Sequence, residues 1–385
     1  MIKIAYLDYS DIFSGAEKSL YSLIKYLDKH EIEPILICLY PRKHLEPYQS
    51  LNIPIVYLSK KIKWWMGRDY TKYAPRGSDF IKRFIFTCKL IIQLKKAKID
   101  ILTINLIRID SFWYVFLPKL FGVKVVFFAR SYPGGIPSRF LIKFCDYIIC
   151  VSDLVKQNYL KKQKTDHIIK IHNPVEVPNL KLSKTDAKYL IKLKIDRNYM
   201  ASIGLLQEHK GHDTAIKTFA ALVNYYPNFD LIIAGGGCEN ELQRLTNLVE
   251  KFGIANRVVI TKEQIPNIEL VYLASEIILS LTKNGEAFGR IPFEGAAYKV
   301  PVIAPNIGAA PELITNEVNG ILVDPLDELE IRFYIEKLIG DITFRKKIVE
   351  NGYMMVEKNL NPSTYSEKIT SVYRLITSSK RNNWH

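Results

Sequence analysis

Short apolar runs alternate with amphipathic stretches along almost the whole chain. In the first half, runs at Ile2–Leu7, Ile35–Leu39, Ile55–Leu58, Ile101–Asn105, Lys124–Phe128, Tyr147–Val151 and Ile168–Ile171 have the length of buried strands. Helical periodicity lies between them, most clearly over Ala16–Asp28 and Phe80–Lys96. The pattern then repeats, with strands predicted at Met200–Ile203, Asp230–Ala234, Val258–Ile260, Ile277–Leu281, Val302–Ala304 and Ile321–Val323, and a helix over Glu239–Phe252. Such alternation predicts parallel strands joined by crossover helices, hence an α/β protein with one doubly wound, Rossmann-like sheet in each half. The segment Asn173-Pro174-Val175-Glu176-Val177-Pro178 resists helix and marks the joint. The expected domains are residues 1–178 and 179–362, followed by a terminal helix within 363–385. No short-period repeat or low-complexity tract interrupts them.

Composition narrows the class. The 385 residues are 48% apolar, enough for two globular cores. The first apolar run is too short for a signal peptide and reads as a strand, and no apolar stretch has a membrane-spanning length. Five scattered cysteines (Cys38, Cys88, Cys145, Cys150, Cys238) show no metal-ligand spacing and suit reduced thiols in a cytoplasmic protein. Charge is uneven: residues 1–180 carry 29 Lys+Arg against 15 Asp+Glu, residues 181–385 carry 25 against 24. The stretch 60–98 alone holds 12 basic residues, with Asp69 and Asp79 its only acids. It interleaves those cations with Trp64-Trp65-Met66 and with Phe84, Ile85, Leu90, Ile91 and Leu94. Two readings are open: an ordinary helix with a solvated basic face, or a basic amphipathic surface for an anionic membrane. Nucleic acid is not expected as a partner, because no recognised binding motif is present.

The most informative residues are Glu286-Ala287-Phe288-Gly289-Arg290-Ile291-Pro292-Phe293-Glu294. A helix beginning near Pro292 leaves Glu286 on the entering loop and sets Glu294 about one turn inside. Backbone N–H groups and the positive end of the helix dipole then lie between two carboxylates. Carboxylates accept hydrogen bonds from sugar hydroxyls and helix-terminal N–H groups hold phosphate, so the site suits a nucleotide-activated sugar. Taken alone, Glu294 is equally a dipole partner of its own helix. Other candidates stand on loops after strands, where a doubly wound sheet collects its ligand contacts. These are Ser14-Gly15-Ala16-Glu17, Arg130-Ser131-Tyr132-Pro133, the run from Ser202 through Gly204 and Lys210 to Asp213, and Gly235-Gly236-Gly237. Gly204 lets backbone approach a ligand, and Lys210 can reach a diphosphate as a mobile charge. The glycine triplet is not a complete dinucleotide fingerprint and can be just a tight turn.

From Glu286 the chain continues through Gly295-Ala296-Ala297-Tyr298-Lys299 and Val300-Pro301-Val302-Ile303-Ala304-Pro305. It then runs through Gly308-Ala309-Ala310-Pro311-Glu312-Leu313-Ile314, a loop expected to open another helix with Glu312 as its cap, to Gly320-Ile321-Leu322-Val323-Asp324-Pro325. This succession resembles the C-terminal signature of glycosyltransferase family 4, the retaining nucleotide-sugar transferases of GT-B architecture. The resemblance implies two Rossmann-like domains facing an interdomain cleft, with the C-terminal helix crossing back to the first domain. It implies that Glu286 meets hydroxyls of the transferred sugar and Glu294 the ribose, with Ala287, Phe288 and Gly289 offering backbone to the donor. By position, Gly204, Lys210 and Thr261 fall on the donor side, Thr261 in the segment facing the base. Ser14 and Gly15 match the N-terminal glycine loop near donor phosphates and acceptor.

Two positions depart from the family. Arg130 stands where it usually has histidine; an arginine cannot act as a base near neutrality, so it is expected to hold an acidic group, unless it is a plain surface residue. Leu205 stands where many members carry arginine, and Arg290, expected in the loop entering the Glu294 helix, is the candidate replacement. No Asp-x-Asp triplet occurs, so no metal or other cofactor is expected. Lys210, Arg290 and helix-terminal amides would stabilise the departing diphosphate while Glu286 grips the sugar. The expected function is front-face, retaining transfer of a hexose from UDP-glucose or a similar UDP-hexose to a saccharide or lipid-linked saccharide in polysaccharide synthesis, at the inner membrane surface. Alternatives are a GDP-mannose-dependent mannosyltransferase, a degenerate GT-B protein that binds a nucleotide sugar or glycan without transfer, and an epimerase of the same fold, against which the Glu286-to-Glu294 block speaks.

Overall fold

The computed structural model of the protein describes residues 1–8, 10, 13–41, 45–59, 77–105, 111–133, 143–162, 165–179, 182–263, 265 and 267–378, with backbone alone for 77–83 and 111–112. Trp64, Trp65, Met66 and all of the basic stretch before residue 77 lie outside the described residues. The chain divides into two compact units: Met1–Pro174 with the C-terminal stretch from Pro362, and Val175–Asn361. The joint therefore falls at Pro174/Val175 and not at residue 178. Val175 is buried, and its N–H donates to the Leu360 carbonyl at 2.9 Å, which ties this segment to the second unit.

In the first unit, seven strands form one parallel sheet: β1 (Ile2–Asp8), β2 (Ile32–Cys38), β3 (Ile55–Tyr57), β4 (Ile101–Ile104), β5 (Lys124–Ala129), β6 (Tyr147–Cys150) and β7 (Ile168–Lys170). Their order is β3-β2-β1-β4-β5-β6-β7. The crossovers include α1 (Gly15–Lys25), α2 (Glu46–Gln49), α3 (Gly77–Lys96), α4 (Ser111–Leu120) and α5 (Asp153–Leu160). Alternate strand residues Ile4, Tyr6, Leu36, Cys38, Val126 and Phe128 share one sheet face and pack on Leu20, Leu23 and Ile24 of α1. Residues from Tyr365 to Ile376 complete that core from the far end of the sequence.

The second unit contains six parallel strands: β8 (Asn198–Ile203), β9 (Phe229–Ala234), β10 (Val258–Ile260), β11 (Ile277–Leu279), β12 (Val302–Pro305) and β13 (Ile321–Val323). Their order is β10-β9-β8-β11-β12-β13. The helices are α6 (Lys184–Leu190), α7 (His212–Leu222), α8 (Glu239–Lys251), α9 (Glu269–Ala274), α10 (Arg290–Ala297), α11 (Glu328–Gly340) and α12 (Ile342–Asn359). Met200, Leu231, Ile233, Ile277, Leu279, Ile303, Ile321 and Val323 meet Ile216, Phe219, Leu242, Leu245, Ile331 and Ile335 on one face. On the other, α10 comes close to the sheet through Gly295, where a Cβ would stand 2.9 Å from Val302. The helix expected after Gly308 is only a 3-10 turn, Ala310–Glu312.

The last helix, α13 (Pro362–Ser378), belongs to the first unit. Tyr365, Ile369, Val372, Tyr373 and Ile376 enter its core, and the Tyr373 hydroxyl shares a 3.0 Å hydrogen bond with Thr103 of β4. Arg374 grips Glu31 through two 2.6 Å contacts at the rim. Among the described residues no helix is long and apolar enough to cross a membrane, and all five cysteines are free thiols. Ile369 is completely buried, so Ile369→Ala is expected to lower the stability of the first unit by about 2–4 kcal/mol, read as a lower denaturant midpoint.

Candidate functional site

In the second sheet β8 and β11 are neighbours, and the crossovers from them run outward to opposite edges. At such a reversal the loops leaving the two strand ends part, and a crevice opens at the carboxyl edge. The loop after β8 carries Gly204, a turn at Glu208–Lys210, and Gly211 before α7. The loop after β11 carries residues 280–289. The Lys283 N–H donates to the His209 carbonyl at 2.7 Å, and the Thr282 hydroxyl lies 3.1 Å from the same oxygen. Gly211, at φ +74°, lies so close to Leu281 that a Cβ would fall 1.9 Å from the Leu281 carbonyl oxygen. Fastened in this way, the two loops bring the Lys210 ammonium onto the Glu286 carboxylate as an ion pair, each side chain about three-quarters buried.

Glu286 precedes α10, whose N-cap is Gly289 at φ +71°. The helix starts at Arg290, before Pro292, because a proline within the first turn gives up only an N–H that has no intrahelical partner. Arg290 is therefore the first helical residue rather than part of the entering loop. Its Nε donates to Glu294 Oε1 at 2.9 Å, so its charge is already shared with that carboxylate. Glu294 Oε2 accepts from the Tyr272 hydroxyl at 2.7 Å. Tyr272 stacks on Tyr298 with ring centroids 5.4 Å apart. Burial, followed by the charge of Glu294, pushes the Tyr272 phenol well above its ordinary pKa and keeps it a donor. From behind, Gly308 backs onto Glu286: a Cβ there would come within 2.6 Å of the Glu286 nitrogen, and the Ala309 N–H donates to the Glu286 carbonyl at 3.2 Å. The Phe288 ring is buried against Phe293, with centroids 5.0 Å apart.

Gly204 lies beside both Lys210 and His212, since a Cβ on it would be 3.7 Å from Lys210 Cδ and 3.9 Å from the His212 ring. His212 joins the Ser202 hydroxyl (2.8 Å) to the Leu205 carbonyl (3.2 Å). A carbonyl only accepts, so Nε2 carries the proton and Nδ1 accepts from Ser202. Thr261 lies just past the end of β10, against the glycine loop. Its hydroxyl accepts from the Gly235 N–H at 2.9 Å and donates to the Gly235 carbonyl at 3.1 Å, so the side chain positions the glycine loop.

The first unit gathers a second group at its own reversal, between β1 and β4. Ser14 caps α1 in a capping box with Glu17, and Gly15 is the first helical residue. Asn105, just after β4, reaches the Ala16 carbonyl at 3.4 Å and accepts from Arg130 Nε at 2.9 Å. Arg130 also donates to Asn173 and lies over the Phe128 ring, 5.0 Å from its centroid. It is thus a held residue at a strand end and not a loose surface arginine. One of its terminal nitrogens and Glu17 Oε1 are buried without a hydrogen-bond partner among the described residues. Tyr272, Gly308, Asn105 and Asn173 escape the sequence reading. Asn105 stands at the end of a predicted strand, Gly308 in the quoted signature loop and Asn173 at the expected joint, but none was read as a site residue.

His212 makes the second unit sensitive to acid. Burial outweighs its hydrogen bonds and holds the ring below its ordinary pKa, so it stays neutral in the fold while the unfolded chain takes up a proton near pH 6.5. The stability it contributes is therefore present above about pH 6.5 and lost as pH falls below that value. Melting temperatures should drop between about pH 7.5 and 5.5, and the drop should be smaller in His212→Gln.

Comparison with known proteins accords with this geometry. Residues 13–177 match the family model described as Glycosyltransferase Family 4, and residues 186–355 the one described as Glycosyl transferases group 1. An uncharacterized glycosyltransferase of Haemophilus influenzae is 23% identical over 309 residues, covering 78% of this chain and 80% of its own. The capsular polysaccharide biosynthesis glycosyltransferase CapM of Staphylococcus aureus is 28% identical over 192 residues, half of this chain and 49% of CapM. Among solved structures, Anabaena HepE in complex with UDP and glucose superposes with a TM-score of 0.81 at 16% identity, covering 97% of this chain and all of HepE. With both halves matched and the fold shared end to end, this chain belongs to glycosyltransferase family 4 and is a glycosyltransferase of GT-B fold.

Proposed function

We propose that the protein transfers a hexose, with retention of configuration and without a metal ion, from a UDP-sugar such as UDP-glucose to a saccharide or lipid-linked saccharide. The observation that carries the reading is the meeting of Lys210 and Glu286 at the β8/β11 reversal, beside the N-terminus of α10. A diphosphate next to Lys210 and the first N–H groups of α10 meets an ammonium and a helix dipole, both placed before charge develops. Glu286, paired with Lys210, accepts hydrogen bonds from the sugar hydroxyls. Glu294, oriented by Tyr272 and Arg290, is left to hold the ribose. The sugar–phosphate C1–O bond breaks and the electron pair stays on the phosphate. The acceptor oxygen bonds to C1 from the same face, and its proton passes to the departing phosphate oxygen. HepE, solved with UDP and glucose, and CapM, a capsular polysaccharide enzyme, support UDP as the nucleotide and a saccharide as the acceptor. The lack of any Asp-x-Asp triplet supports stabilisation by protein charge. Arg130, with an unpartnered nitrogen, is assigned to an acidic group on the acceptor side.

Lys210→Ala and Glu286→Ala should each lower kcat/KM by about 10²–10³-fold while the protein still folds. The two differ in binding: Lys210→Ala should weaken UDP in calorimetry, whereas Glu286→Gln should bind UDP at least as well as the parent, because Lys210 loses its competing carboxylate. Turnover should persist in EDTA, and the product anomer read by NMR should match the donor. Absence of any nucleoside diphosphate binding, or activity abolished by EDTA, would overturn the reading.

A further inference from the structure

The outward face of α3 has no assigned task and an unusual composition. From Phe80 to Lys98 the chain contains six cations and no carboxylate. Helical spacing aligns Phe84, Ile85, Lys89, Ile92, Lys95 and Lys96 on one stripe, and all six are exposed, Ile92 at 61%. Thr87, Leu90, Ile91 and Leu94 point the other way into the core. The stripe does not end with the helix. Lys95 Nζ stands 4.2 Å from the centroid of the Phe121 ring, so the end of α4 adjoins it, adding Leu120 (63% exposed) and Phe121 (48% exposed). Gly122, at φ +75°, turns the chain directly behind them, with its N–H bonded back to the Lys119 carbonyl at 3.0 Å. Large apolar side chains and ammonium groups thus share one face of the first unit.

We propose that this face, Phe84, Ile85, Ile92, Leu120 and Phe121 with Lys89, Lys95 and Lys96, seats the protein on an anionic lipid bilayer. Three considerations select that occupant. A purely solvated face gains nothing from three large apolar residues along one helix and two more beside it. A second copy of the chain would set lysine stripe against lysine stripe, which like-charge repulsion opposes. An anionic interface satisfies both halves of the composition: the rings and aliphatic chains enter the headgroup boundary, while the lysine stems lie along them and place their ammonium groups among lipid phosphates. The inference concerns a surface remote in sequence from Lys210 and Glu286 and does not depend on the donor assignment.

The test is co-sedimentation of the full chain with vesicles of phosphatidylcholine alone and of phosphatidylcholine mixed with phosphatidylglycerol. Binding is expected only to the mixed vesicles and should weaken about fivefold or more on going from low to high salt. Lys95→Gln/Lys96→Gln and Ile92→Ser/Phe121→Ser should each lose most of the binding while keeping the parent melting point, as substitutions of exposed residues do. Equal binding to neutral vesicles, full binding by either double variant, or a dimer in light scattering that the same substitutions dissociate would overturn the proposal. UDP calorimetry on the same variants separates the two assignments, since neither double variant should alter it.

Discussion

The arrangement around Glu286 depends on one feature of the second sheet, the parallel pairing of β8 with β11. The pairs Ile277↔Met200, Ile278↔Ala201 and Leu279↔Ser202 set the two strands in register, so that their loops leave the sheet at the same level. Because the crossover helices from these strands depart toward opposite edges, nothing within that sheet covers the gap between the loops. The cross-links through His209, Thr282 and Lys283 then fix the separation of the two backbones. With that separation fixed, a lysine seven residues beyond one strand and a glutamate seven residues beyond the other meet.

The charges at this place are arranged in opposed pairs. Lys210 faces Glu286, and Arg290 faces Glu294, which also accepts from buried Tyr272. Each largely buried charge therefore has a neighbour of opposite sign that offsets its desolvation. The two pairs differ in rigidity. Arg290 and Glu294 lie one turn apart on the same helix and are braced by a phenol stacked on a second ring. Lys210 and Glu286 sit on separate loops, and the lysine reaches its partner through a flexible stem. The Lys210 ammonium can therefore move without disturbing the backbone, whereas the carboxylate of Glu294 is held by two partners. Glycines make this density of backbone possible: Gly211 against Leu281 and Gly308 against Glu286 leave no room for a Cβ.

The first unit solves a similar problem with neutral partners. Arg130 is held by two asparagines and an aromatic ring, which orient the guanidinium without neutralising it. The same unit relies on residues from the end of the chain, since α13 supplies part of the core beneath β1 and β4. Its integrity thus depends on contacts such as Thr103 with Tyr373 that span most of the sequence.

Periodicity alone determined the strands. All thirteen predicted strands are present with ends shifted by three residues or fewer, because short apolar runs bounded by polar turns have few other ways to be buried. The loops bearing Ser14, Gly204, Lys210, Glu286 and Arg130 were legible for the same reason, as each directly follows a strand. Partners were not legible. Nothing near Tyr272 in sequence announces that its hydroxyl meets Glu294, nothing near Thr261 that it bonds the Gly235 backbone, and the prolines at 174 and 178 do not say which one ends the first unit. Local sequence encodes the period of burial and the chemistry at strand ends. Which distant side chains share a hydrogen bond or an ion pair is decided only when strand order and register bring them within about 3 Å of each other.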